Sequence, residues 1–154
     1  MVVTLKWNRK IALLVIIAVA AVLCALIFAI GKGGNSTSSA AGVKVKTNED
    51  RIKFLESLGW EVDLNPIEEK TVIIPKEFSD VYKKYNQLQI EQGYDLSKYR
   101  GMEVTIYTYS VRNYTGYSGN VVAELYVKGN EIIGGDIHSL ELDGFMHGLR
   151  KKNI

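Results

Sequence analysis

The chain has 154 residues, 47% of them hydrophobic and 23% charged, with a net charge of +2, two His and one Cys. That length suits one ordinary domain, and a single Cys excludes a disulfide framework or a Cys-built zinc site. Only two Pro, with a hydrophobic fraction near the globular norm, exclude disorder throughout.

The charge divides unevenly along the chain. Residues 1–46 hold six basic residues and no acid, and residues 150–154 hold three more basic ones. Residues 47–149 keep the other ten basic residues against all 17 acids, a balance of −7. An acidic body lacks the basic face that phosphate backbones require, so nucleic acid is not expected as a partner.

Residues 11–30 (IALLVIIAVAAVLCALIFAI) form a run of twenty without a charge or a Pro. A helix of that length rises roughly 30 Å, the thickness of a bilayer's hydrocarbon core. Its thirteen Leu, Ile, Val and Phe favour insertion by roughly 4 to 8 kcal/mol. A transmembrane helix over 11–30 is therefore expected, in contact with the lipid bilayer. Lys6, Arg9 and Lys10 precede it and only Lys32 follows closely, which places residues 1–10 in the cytoplasm and the remainder outside. A cleaved signal peptide is the rival reading, but its apolar core is usually shorter, and the first small-residue site, Ser39-Ala40-Ala41, lies well past the run. Cys24 sits deep in the run and reads as an ordinary small membrane-helix residue.

Residues 31–46 (GKGGNSTSSAAGVKVK) are rich in Gly, Ser and Ala and read as a flexible linker. The domain is expected over 47–149, followed by a basic tail, 150–154. Thr47 caps a first helix, Glu49 and Asp50 occupy its first turn, and Gly59 stops it, with Ile52, Leu55, Leu58 and Phe54 toward the core. Two short strands follow, 60–63 and 70–74, with Asn65-Pro66 between them and Pro75 ending the second.

A second helix is predicted over 78–92, stopped by Gly93. Phe78, Val81, Tyr82, Tyr85 and Leu88 form its apolar stripe, and Lys83, Lys84, Asn86 and Gln87 face water. After a turn over 94–101 come three strands, 103–112, 120–127 and 131–138, the last two joined by Lys128-Gly129-Asn130. Gly134-Gly135 inside the last strand marks a bulge or a close backbone approach. Residues 142–149 read as a packed terminal turn with Phe145, Met146 and Leu149 as its contacts. The order α-β-β-α-β-β-β gives an α+β domain, an antiparallel sheet with helices packed on one face.

Several stretches resemble an uncharacterised bacterial family, domain of unknown function 4830. They are residues 51–62 (RIKFLESLGWEV), 74–78 (IPKEF), Tyr85-Asn86, 92–96 (QGYDL), Tyr99, Gly134-Gly135-Asp136 and the closing run 142–149 (LDGFMHGL). The resemblance implies a short, singly membrane-anchored protein. It assigns no chemistry, and a Cys often stands in that family where this chain has His138.

Two constellations are candidate sites. Near the C-terminus, Asp136, His138, Glu141, Asp143 and His147 offer carboxylate and imidazole ligands for zinc or manganese, at a spacing that matches no metal motif. The alternative is structural, with Asp143 capping a terminal turn and His147 bonded locally. All nine Tyr lie between residues 82 and 126. Among them Tyr107, Tyr109, Tyr114, Tyr117 and Tyr126 could present a ligand-binding face, or be half-buried sheet residues.

Catalysis is the weaker expectation. The Cys lies in the apolar run, Ser139 beside His138 has no elbow motif around it, and neighbouring Glu68-Glu69 point to opposite sides of an extended chain. The sequence thus predicts a membrane-anchored extracytoplasmic binding domain without a cofactor, serving a protein or cell-envelope partner. The alternative is a metal-binding module or metal-dependent enzyme built on Asp136, His138, Asp143 and His147.

Overall fold

A computed structural model describes residues 42–151. The expected transmembrane helix and most of the linker lie outside these residues. Among the described residues no helix is long and apolar enough to cross a membrane.

Helix α1 spans Asn48–Ser57 and opens on a capping box, in which Thr47 accepts from the Asp50 N–H and Asp50 accepts from the Thr47 N–H. That arrangement satisfies two orphan helix donors and is worth about 1 kcal/mol. Gly59, at φ +88°, ends the helix as expected. The buried stripe is Arg51, Phe54 and Leu55. Ile52 and Leu58 lie at its margin.

Five antiparallel strands follow in the spatial order of the sequence: β1 Glu68–Ile73, β2 Glu103–Ser110, β3 Val121–Lys128, β4 Glu131–Ser139 and β5 Met146–His147. Helix α2, Asp80–Glu91, and a single 3-10 turn, Leu96–Tyr99, connect β1 to β2. The expected strand over 60–63 is absent. Val62 makes one isolated bridge to Val111, and Trp60 is buried, with its indole N–H donated to the Leu149 carbonyl at 2.5 Å. Where a terminal turn was expected, the chain makes β5 beside β4. The order is therefore α-β-α-β-β-β-β.

The helices lie on opposite faces of the sheet, not on one. Leu125 and Ala123 of β3 pack with Phe54 and Leu55 of α1, together with Tyr109, Ile137 and Leu149. Tyr126, the neighbour of Leu125 and hence on the other face, packs with Tyr82 and Tyr85 of α2 and with Phe78, Val104 and Ile133. Both sheet faces are thus covered, each by one helix.

The two sheet edges differ. Beyond β4, residues 43–46, read above as the end of a linker, join the fold instead. Val45 donates to the Asn130 carbonyl, Ile132 donates to the Val43 carbonyl, and the Val45 side chain is buried. β5 covers the far end of the same edge. Between them Gln89 of α2 and Gln92, the C-cap of that helix, do so: Gln89 accepts from the Gly135 N–H at 2.9 Å, and Gln92 donates to the Gly135 carbonyl at 3.0 Å.

This accounts for a stripe on α2 that hydropathy misplaced. Asn86, expected in water, is buried and accepts from the Leu96 N–H at 2.8 Å, while Val81 is 80% exposed. Buried backbone groups need partners more than the helix needs an apolar side chain there. β1, by contrast, pairs only with β2 among the described residues and exposes Glu68, Glu69 and Lys70 along it.

Candidate functional site

A single extra residue in β4 assembles the site. At the hairpin end Val127 pairs with Ile132, but Tyr126 pairs with Gly134, so Ile133 is inserted as a bulge. Beyond it Glu124 of β3 stands directly opposite Asp136 of β4. Without the insertion, alternation would send Asp136 and His138 to the α1 side of the sheet. With it, Glu124, Asp136 and His138 share the α2 side. The glycines beside the bulge permit close approach: a Cβ on Gly135 would collide with the Glu124 carbonyl oxygen and the Leu149 side chain.

Asp136 is fully buried and both its oxygens are engaged. The Tyr85 hydroxyl donates to Oδ2 at 2.6 Å, and His138 Nδ1 lies 2.8 Å from Oδ1. The Thr108 hydroxyl donates to Glu124 at 3.4 Å. One ligating atom from each of Glu124, Asp136 and His138 lies within 4.8 Å of the other two. The hydrogen bond to Asp136 raises His138 above the usual imidazole value, against the opposing effect of burial. Burial first, and then the charge of Asp136, raises Glu124 above the usual carboxylate value. Burial and the adjoining Asp136 carboxylate push the Tyr85 phenol well up.

Above these groups runs a groove of about 590 Å³ between α2 and the sheet. Val81, Tyr82, Lys84, Tyr85 and Leu88 form its helix wall, Tyr126 and Met146 lie on the sheet side, and Glu124 and Asp136 form its floor. Three tyrosines form a continuous aromatic row from the helix to the sheet, with Tyr82–Tyr85 centroids 6.0 Å apart and Tyr85–Tyr126 centroids 5.8 Å apart.

The other expected site residues go elsewhere. Asp143 and His147 do not join the Asp136–His138 group. His147 belongs to an aromatic cluster on the α1 side: it stacks on Phe145 at 5.6 Å, lies 3.1 Å from the Tyr114 hydroxyl, and bonds the Gly148 carbonyl through Nδ1.

The five tyrosines form no common face. Tyr109 is fully buried, receiving a hydrogen bond from Arg51 at 2.8 Å and donating one to Asn48 at 2.8 Å. Tyr107 lies beneath the same guanidinium, 3.6 Å from its ring centroid. Tyr114 stacks between Trp60 and Phe145, and Tyr117 bonds Ser139 at 2.6 Å and meets Phe145 edge-on. Of the five, Tyr126 alone lines the groove. Glu124, Tyr82 and Tyr85 were missed as site residues. The only signal for Glu124 was its place on the outward phase of a strand whose alternate residues are apolar.

No curated protein and no solved structure matches the chain. The family model that does match spans residues 54–137, from Phe54 in α1 to Ile137 in β4. It takes in Tyr85, Glu124, Tyr126 and Asp136 and ends one residue before His138. With more than half its length so matched, the chain belongs to the family described as Domain of unknown function (DUF4830).

Proposed function

We propose that this chain is a membrane-tethered binding domain, held outside the cytoplasm by the apolar run 11–30, and that it binds and does not transform its ligand. The reading of location rests on that uncharged run and on the basic residues before it, with only Lys32 close after it. The binding site is the groove between α2 and the sheet, and its floor takes a positive charge. One observation carries this: two carboxylates, Glu124 and the fully buried Asp136, stand opposite each other beneath an open groove walled by tyrosines. Aromatic faces together with a half-buried and a fully buried carboxylate favour a cationic group over a neutral or anionic one.

Photo-cross-linking from Val81, at the exposed rim, tests the reading in the native membrane with the full-length protein. A discrete adduct is expected from Val81, weakened by Glu124→Gln, and absent when the cross-linker stands at Lys53 on α1. Identical adducts from both positions, or none from Val81, would overturn it.

A further inference from the structure

The cation at the groove floor can be named by chemical class. In a proposal that rests on the groove being the binding site, we infer that Glu124, Asp136 and His138 hold a divalent transition-metal ion, zinc by their donor set. Two carboxylates and one imidazole, with ligating atoms within 4.8 Å of one another, can close on one ion. Zinc takes such nitrogen and oxygen donors at about 2.0–2.2 Å and often uses three protein ligands with one open position. Calcium and magnesium favour all-oxygen shells and more ligands, which an imidazole and two carboxylates do not supply.

Three further features fit a metal better than an ammonium group. Glu124 and Asp136 face each other directly across β3 and β4, and the repulsion of these like charges, relieved in part by the His138 imidazole against Asp136, would be relieved further by a metal cation shared between them. Supporting hydrogen bonds are in place, from Tyr85 to Asp136 and from Thr108 to Glu124, of the kind that orient ligating carboxylates. Glu124 and Asp136 line the groove, which would supply an entry path for the ion.

The test uses the full-length protein, free of any affinity tag, in detergent micelles after chelator treatment. Cobalt(II) is the probe. One equivalent is expected to give the visible bands of a four- or five-coordinate ion, erased by zinc and unaffected by magnesium or calcium. Glu124→Gln and His138→Gln should each weaken binding at least tenfold, and His147→Gln should leave it unchanged. Should the variants fold poorly, the wild-type protein decides alone: the chain has only two His, and cobalt must shift the ring resonances of His138 and not those of His147. Absent bands, bands indifferent to Glu124→Gln and His138→Gln, or a shifted His147 would overturn the proposal. A Val81 adduct that persists without metal binding removes the metal and leaves the groove reading standing. Metal binding without a Val81 adduct does the reverse.

Discussion

The Leu149 backbone N–H donates to the side-chain carbonyl of Gln92 at 2.6 Å, and the same carboxamide donates to the Gly135 carbonyl at 3.0 Å. One helix side chain thereby takes the place of a peptide unit between β4 and the segment after β5. Gly148 is part of the arrangement, because a Cβ there would strike the Gln92 carboxamide. Gln92→Ala strands both backbone groups and should destabilise the domain by about 2 kcal/mol. Urea unfolding followed by circular dichroism checks this, and a loss below about 0.5 kcal/mol would show that water replaces the link freely.

Gly135→Ala should cost more than Gly134→Ala. The added methyl at 135 would collide with a backbone oxygen and lie 2.8 Å from the buried Leu149, whereas at 134 it meets Gln89 and Leu96 at 3.1–3.2 Å and needs them to give by only a few tenths of an ångström. Overpacking of this kind costs roughly 1–3 kcal/mol. Equal midpoints for the two variants would contradict the placement of Gly135 against Glu124.

Tyr109 ties α1 to the sheet through its hydroxyl, receiving from Arg51 and donating to Asn48. Tyr109→Phe leaves a buried guanidinium N–H without that acceptor and should destabilise by about 1–3 kcal/mol. Removing Tyr107 and Tyr109 together should abolish folding, because one is fully buried and the other carries the Arg51 guanidinium. A folded double variant with wild-type stability would mean these rings are surface residues.

Tyr94 should respond in the opposite sense. Its hydroxyl is buried and has no hydrogen-bond partner among the described residues, so Tyr94→Phe removes an unpaired polar group and should stabilise by about 1 kcal/mol. Burial holds the phenols of both Tyr94 and Tyr109 above the ordinary value of 10.0. A raised value in the fold means that the unfolded chain ionises first. Their contribution is therefore complete below about pH 10 and falls away as pH rises past it. In an alkaline titration, tyrosinate absorbance from these rings should appear together with loss of helical signal. Tyr94→Phe should move that transition upward. Early ionisation of every Tyr, with the fold intact, would refute it.

Much of the fold was legible because its signals are local. Thr47, Gly59 and Gly93 bracket the helices by their own chemistry, and the alternation Val121, Ala123, Leu125, Val127 identifies the buried side of β3 directly. What escaped was decided by partners distant in sequence. Trp60 has strand-like neighbours, yet its position follows from a carbonyl at Leu149. Asn86 and Gln89 look like solvent residues until the unpaired N–H groups of Leu96 and Gly135 are considered.

The site shows the limit most clearly. Asp136 and His138, two apart in the strand predicted over 131–138, fall on one face by alternation alone, but their meeting with Glu124 depends on a bulge that shifts the register by one residue. The sequence marks that bulge only as Gly134-Gly135. His147, two residues past Phe145 and chemically identical to His138, is drawn instead into an aromatic stack.

The unequal edges of the sheet bear on self-association. A strand at an open edge is a template for another chain, and a sheet open on both sides can extend into a fibre. Here β4 is occupied along its length by residues 43–45, the two glutamines and β5, which is only two residues long, and among the described residues β1 alone remains open. A molecule with one usable edge can accept one neighbour by that route. Any pairing through β1 would therefore close as a two-fold dimer and stop there.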